Sequence, residues 1–164
     1  MGSRARRPPL GAGPLGAARL ELAGHQYALL AGVVSSIDYL ANLDDAATGT
    51  RRERLDLSIG SLQDYHDRLF DYLMRSLEKL DHVMVLGDAP SRIPTLSFTV
   101  ADTSAEKVSE HLAQNRIGTV SGVHSGSRLL DALGVNDEGG AVTIGLAPYT
   151  TRYEIDQLVK ALRT

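Results

Sequence analysis

Between Arg52 and Leu80, apolar side chains return at spacings of three, four and seven: Leu55, Ile59, Leu62, Leu69, Leu73, Leu77 and Leu80. That period marks one face of an α-helix. It predicts a helix over residues 52–80, well beyond the usual length of about 11–12 residues. In a chain of 164 residues, a helix this long suggests an element that bridges two parts of a larger molecule. The rest of the chain must be arranged on either side of it.

Downstream the period shortens to that of strands. Val83 and Val85, then Thr95-Leu96-Ser97-Phe98-Thr99-Val100, read as two strands separated by a Gly/Asp/Pro loop at 87–94. Thr103 with Glu106 predicts a capping box opening a helix over 104–115. A short strand is expected at 117–121 and a short helix at 125–133, closed by Gly134. Ala141 to Leu146 reads as the last strand. Thr151 with Glu154 predicts a second capping box, ahead of a helix whose apolar face is Ile155, Leu158, Val159 and Leu162. The order β-β-α-β-α-β-α predicts an α+β layer: a mixed sheet with its helices on one face, preceded by the long bridging helix.

Upstream, Leu29, Leu30, Val33, Val34, Ile37, Leu40 and Leu43 recur with helical spacing over 25–43, and a polar linker follows at 44–50. Residues 1–18 combine Arg4, Arg6 and Arg7 with Pro8, Pro9, Pro14 and four glycines, too little apolar surface to order themselves. The expected organisation is a disordered tail (1–18), an interface segment with its helix (19–50) and a small C-terminal domain (51–164).

Several chemistries find no support. Without cysteine there is no disulfide, thiolate metal site or cysteine nucleophile. A net charge of −3 gives no overall positive field for nucleic acid or anionic membrane. The apolar run around Tyr27 to Val34 is far shorter than the ~18–20 residues that span a bilayer. A cytoplasmic location is the expectation. Gly11-Ala-Gly13-Pro-Leu-Gly16 matches a dinucleotide fingerprint, but prolines flank it and no strand precedes it. The five histidines (25, 66, 82, 111 and 124) form no ligand-spaced pair, so no metal is expected. His66 reads as a packing residue beside the stripe. His124-Ser125 reads as loop polarity, since adjacent loop side chains rarely align as base and nucleophile.

Five segments, in order and at matching spacing, carry a resemblance. These are Leu20-Glu21 with Ala23-Gly24, Ile37-Asp38-Tyr39-Leu40, Arg92 to Phe98, Ile117 to Gly126, and Gly139 to Val142 continuing through Tyr149-Thr150-Thr151 with Glu154-Ile155-Asp156. Over residues 19–163 the chain resembles the C-terminal part of class-V aminotransferases. It is most similar to their cysteine desulfurase-like branch.

That resemblance implies a pyridoxal phosphate (PLP) enzyme whose cofactor lysine and ring-nitrogen aspartate lie on a large domain, upstream of the matched region. It also implies that the working positions are altered here. The phosphate-site threonine falls at Gly24, beside His25, so its hydroxyl is gone. The desulfurase cysteine falls at Ser125, whose hydroxyl cannot replace a thiolate. The loop arginine falls at Val120. The arginine that clamps the substrate carboxylate falls at Thr143, which offers no bidentate cationic fork. The lysines Lys79, Lys107 and Lys160 all fall on predicted helices. The expectation is therefore a truncated, inactive homologue that binds no PLP alone and either self-associates or joins a full-length relative or large domain. The alternatives are a subunit completing a PLP site in trans, or a non-catalytic binding or regulatory module on the same scaffold.

Overall fold

The computed structural model describes residues 26–89, 92–123, 127–136 and 139–163. The elements run α1 (Tyr27–Ala41), α2 (Arg51–Leu77), β1 (Val83–Leu86), β2 (Thr95–Val100), α3 (Ala105–Gln114), β3 (Val120–Gly122), α4 (Ser127–Ala132), β4 (Ala141–Gly145) and α5 (Arg152–Leu162). The expected order of elements is observed.

The apolar stripe does form a single long helix. α2 begins at a full capping box: the Thr50 side chain accepts from the Glu53 N–H, and the Glu53 carboxylate accepts from the Thr50 N–H. This outweighs the arginines of its first turn. The C-terminal half of the stripe, Leu69, Leu73 and Leu77, is buried, and so is Leu80 beyond the helix. The N-terminal half of the helix instead meets α1 through residues outside the stripe. Ser58 donates to the Ala41 carbonyl (3.2 Å), Ser61 to Asp44 (2.6 Å), and Arg51 pairs with Asp38 at 2.9 Å.

The sheet corrects one expectation. It is antiparallel throughout, in the order β1-β2-β4-β3, rather than mixed. β2 and β3, joined through α3, run the same way, but β4 inserts between them, as in a split β-α-β unit. Each strand therefore meets only antiparallel neighbours.

Strand alternation then sorts the two faces. Leu96 and Phe98 of β2 and Val142 and Ile144 of β4 point to one face, where they pack with Leu73 and Leu77 of α2, Leu112 of α3 and Ile155 and Leu158 of α5. Leu86 and Ala141 point to the other, where they join Leu130 of α4 and Val135. The helices are therefore divided: α2, α3 and α5 cover one face, while α4 packs with residues of the opposite one.

Two helix ends differ in instructive ways. α5 opens with the expected Thr151–Glu154 capping box. α3 does not use the expected Thr103–Glu106 box. Its N-cap is Ser104 without a side-chain bond, and Thr103 is spent on a β-bridge to Val100 and a hydroxyl bond to the Ala101 carbonyl. At the other end of α3 the Arg116 N–H bonds Ala113 O and the Ile117 N–H bonds Leu112 O, both at 2.9 Å. Arg116 closes this cap at φ +62°, a position glycine normally fills. A side chain held there costs about 1–2 kcal/mol.

Candidate functional site

The sheet face opposite the main core carries the two altered family positions, Val120 and Thr143, that the described residues include. Thr143 sits on β4 directly between Ser97 of β2 and Val120 of β3. The Thr143 and Ser97 hydroxyls share a hydrogen bond of 2.8 Å, and Val120 is 57% exposed beside them. The two positions where the resemblance expects arginines are thus cross-strand neighbours holding a hydroxyl and an isopropyl group. The other strand residues on this face are Met84, Leu86, Thr95, Thr99, Gly122, Ala141 and Gly145, none of them charged. These described strand residues can hydrogen-bond a neutral polar group but include no cation for a carboxylate. Gly24, His25, His124 and Ser125 lie outside the described residues, as do residues 1–18 with the glycine motif.

The lysines do not fit a PLP site. Lys79, Lys107 and Lys160 are all exposed. Lys79 lies in the turn just past α2 rather than on a helix. Lys79 and Lys160 border a shallow cavity of ≈ 220 Å³ with Tyr72, Ser76, Asp156 and Arg163. An imine lysine needs an enclosed pocket that lowers its pKa. Here Tyr72 already donates to Asp156, and Arg152 stacks over the Tyr72 ring at 4.0 Å, so the polar groups serve to join α2 to α5. Among the described residues no three His, Asp or Glu side chains gather as metal ligands.

The other contacts of the site region are positioning contacts. His66 is buried, as a packing residue should be, and its Nε2 lies 3.1 Å from the Ala147 carbonyl. That partner requires the ring to donate from Nε2. Tyr65 donates to the Thr150 carbonyl at 2.7 Å, and the Ala147 N–H donates to the Thr150 hydroxyl at 2.8 Å. Helix α2 thereby fixes the 147–150 turn that follows β4. Sequence reasoning missed the bonding role of Tyr65, because a tyrosine near an apolar stripe signals only packing. It also missed the Thr50–Glu53 box, although the T-x-x-E signature was legible.

α1 is the exception to all this packing. Tyr27, Leu29, Leu30, Val33 and Val34 are 79%, 65%, 47%, 55% and 45% exposed. Only Ala41 at its far end is buried. Ile37 and Leu40 are half-buried, whereas the apolar side chains of its N-terminal half point to water. No helix is long and apolar enough to cross a membrane among the described residues.

The Aminotransferase class-V family model matches residues 53–158. Over 147 residues the chain is 54% identical to an uncharacterized protein of Mycobacterium tuberculosis (strain CDC 1551 / Oshkosh), covering 90% of this chain and 36% of that protein. It is 27% identical over 106 residues to a probable cysteine desulfurase of Xylella fastidiosa (strain Temecula1), covering 65% of this chain and 25% of that protein. The fold matches the crystal structure of the Escherichia coli cysteine desulfurase CsdA with a TM-score of 0.70 at 22% identity, over 90% of this chain and 32% of that one. The chain thus spans about a third of the length of the M. tuberculosis protein and of CsdA.

Proposed function

The chain belongs to the class-V aminotransferase family, and on that premise we propose that it is the C-terminal part of such an enzyme, of the cysteine desulfurase-like branch, with no PLP chemistry of its own. The observation that carries this reading is the placement of the three lysines in solvent. None has the enclosed, desolvated surroundings that make a lysine a ready imine former. The uncharged strand residues around Thr143 support the same reading, because none of those described offers a guanidinium to a substrate carboxylate.

The exposed α1 favours a further, compatible reading: the chain supplies a small domain to a larger body. Tyr27, Leu29, Leu30, Val33 and Val34, all exposed on one short stretch of helix, exceed what soluble monomers usually leave in water. Its occupant is either the lysine-bearing large domain of a longer partner or a second copy of this chain.

The test is borohydride reduction of the full chain after incubation with PLP, followed by peptide mass mapping. The expected result is sparse labelling spread over Lys79, Lys107 and Lys160 in proportion to exposure. A single stoichiometric adduct at one of them overturns the proposal.

A further inference from the structure

The ladder between β3 and β4 stops one step early. In β4, the Leu146 N–H bonds the Pro94 carbonyl on the β2 side. Antiparallel bonding alternates, so the main-chain groups of Thr143 and Gly145 face β3. Thr143 finds Val120 there, the last pair of that ladder. The next pair in register whose main-chain groups would face each other is Gly145 with Gly118, two residues on, and no hydrogen bond joins them. Both glycines are exposed, and a Cβ added at Gly118 would meet nothing within 4 Å.

A groove of ≈ 710 Å³ runs along this opening. Its floor is the edge of the main core, including Ile144, Ile155 and Leu158. Two exposed aromatics stand on one rim, Tyr149 at 77% and Tyr153 at 69%. On the other is Arg116, held in the left-handed conformation and without an ion-pair partner among the described residues. The one carboxylate in the lining, Glu154, has an oxygen engaged by Thr151 in the α5 capping box.

We propose that this groove is a docking site for an extended peptide segment carrying an acidic side chain. The main chain of the segment takes the hydrogen bonds that Gly145 has to offer, as in strand addition at a sheet edge. Its apolar side chains meet the groove floor and the two tyrosines, a residue type enriched at protein interfaces. The acidic side chain pairs with the Arg116 guanidinium, a geometry suited to two parallel bonds. This explains why the C′ position of α3 holds arginine where glycine would be easier for the backbone.

Because structural and binding roles of Arg116 pull in opposite directions, the Arg116→Gly variant separates them. The probe is a capped, fluorescently labelled hexapeptide alternating valine and glutamate, with its valine–lysine counterpart as control. Binding to the full chain is read by fluorescence anisotropy, and the site by chemical shifts of the Gly118 and Gly145 amides. The glutamate peptide should bind saturably at or below about 1 mM and shift both amides. The lysine peptide should bind at least about tenfold more weakly. Arg116→Gly should raise Tm by roughly 2–4 °C and weaken the glutamate peptide by about tenfold or more. The proposal is overturned by any of three results: no saturable binding of the glutamate peptide, equal binding of both peptides, or undiminished binding to Arg116→Gly. Tyr153→Ala serves as a second variant whose exposed side chain leaves the fold intact. It should weaken the peptide without lowering Tm, and unchanged binding would count against the groove.

Discussion

The exposed helix α1 allows a quantitative forecast. In the double variant Leu29→Glu, Val33→Lys, two side chains that are 65% and 55% exposed become charged. Full burial of each would be worth about 1.5–3 kcal/mol. The parts now in water therefore represent roughly 2–3.5 kcal/mol per copy. In a two-fold pair that uses the helix from both copies, the loss comes to about 4–7 kcal/mol, roughly a thousandfold or more in affinity. The fold itself should hardly respond. Surface changes of this kind stay within about 0.5 kcal/mol, and a Glu–Lys pair four residues apart adds some 0.2–0.5 kcal/mol to a helix. Sedimentation velocity of the full chain over the micromolar range, with and without the substitutions, provides the assay. The expected outcome is a self-associating parent chain and a monomeric variant of equal Tm. A parent chain that stays monomeric over this range, or a variant that associates as strongly, refutes the reasoning that α1 is an unfilled interface.

Other expectations concern stability and activity. Thr50→Ala should remove the α2 capping box and lower stability by about 0.5–2 kcal/mol in urea unfolding. The Thr50 N–H and hydroxyl hold the Glu53 carboxyl below its ordinary value of 4.5. A depressed folded-state pKa contributes stability that is complete above about pH 4.5 and is lost as pH falls through the folded value. The Tm advantage of the parent chain over Glu53→Gln should accordingly be present at neutral pH and shrink in acid. Gly140→Ala places a Cβ 2.4 Å from the Gly122 carbonyl oxygen at φ +87°, and should cost about 1–3 kcal/mol of stability or more. His66→Leu should lower stability by about 1–3 kcal/mol by leaving the Ala147 carbonyl without its donor. No sulfide should be released from cysteine when a competent large domain is supplied with this chain, above the rate of that domain alone.

What the residues disclosed follows from how local each signal is. The leucine stripe of α2 and the Ile155–Leu162 face of α5 are periodic over several turns, and both helices lie where the period places them. The Thr151–Glu154 box is closed within three residues and forms as read. The Thr103–Glu106 box has the same signature, yet Thr103 pairs across to Val100 instead, a tertiary contact that no local pattern announces. Strand β3 begins at Val120, because Arg116 and Ile117 are held by the α3 cap before the chain can reach the sheet. The antiparallel sheet depends on β4 inserting between β2 and β3, a choice of neighbours invisible to alternation within one strand. Of the expected site, Thr143 and Val120 were legible as altered positions. Their direct pairing, and the hydroxyl bond to Ser97, required the register.

The central claim is that this chain keeps the family's small-domain scaffold while the PLP chemistry resides elsewhere. It is tested most directly by a chimera in which the chain replaces its counterpart in the 54% identical Mycobacterium tuberculosis protein. After incubation with PLP, borohydride reduction and mass mapping of the purified chimera locate the cofactor. The account predicts a folded chimera with one stoichiometric adduct on a lysine of the M. tuberculosis portion. A chimera that fails to fold, or an adduct at Lys79, Lys107 or Lys160, would contradict it.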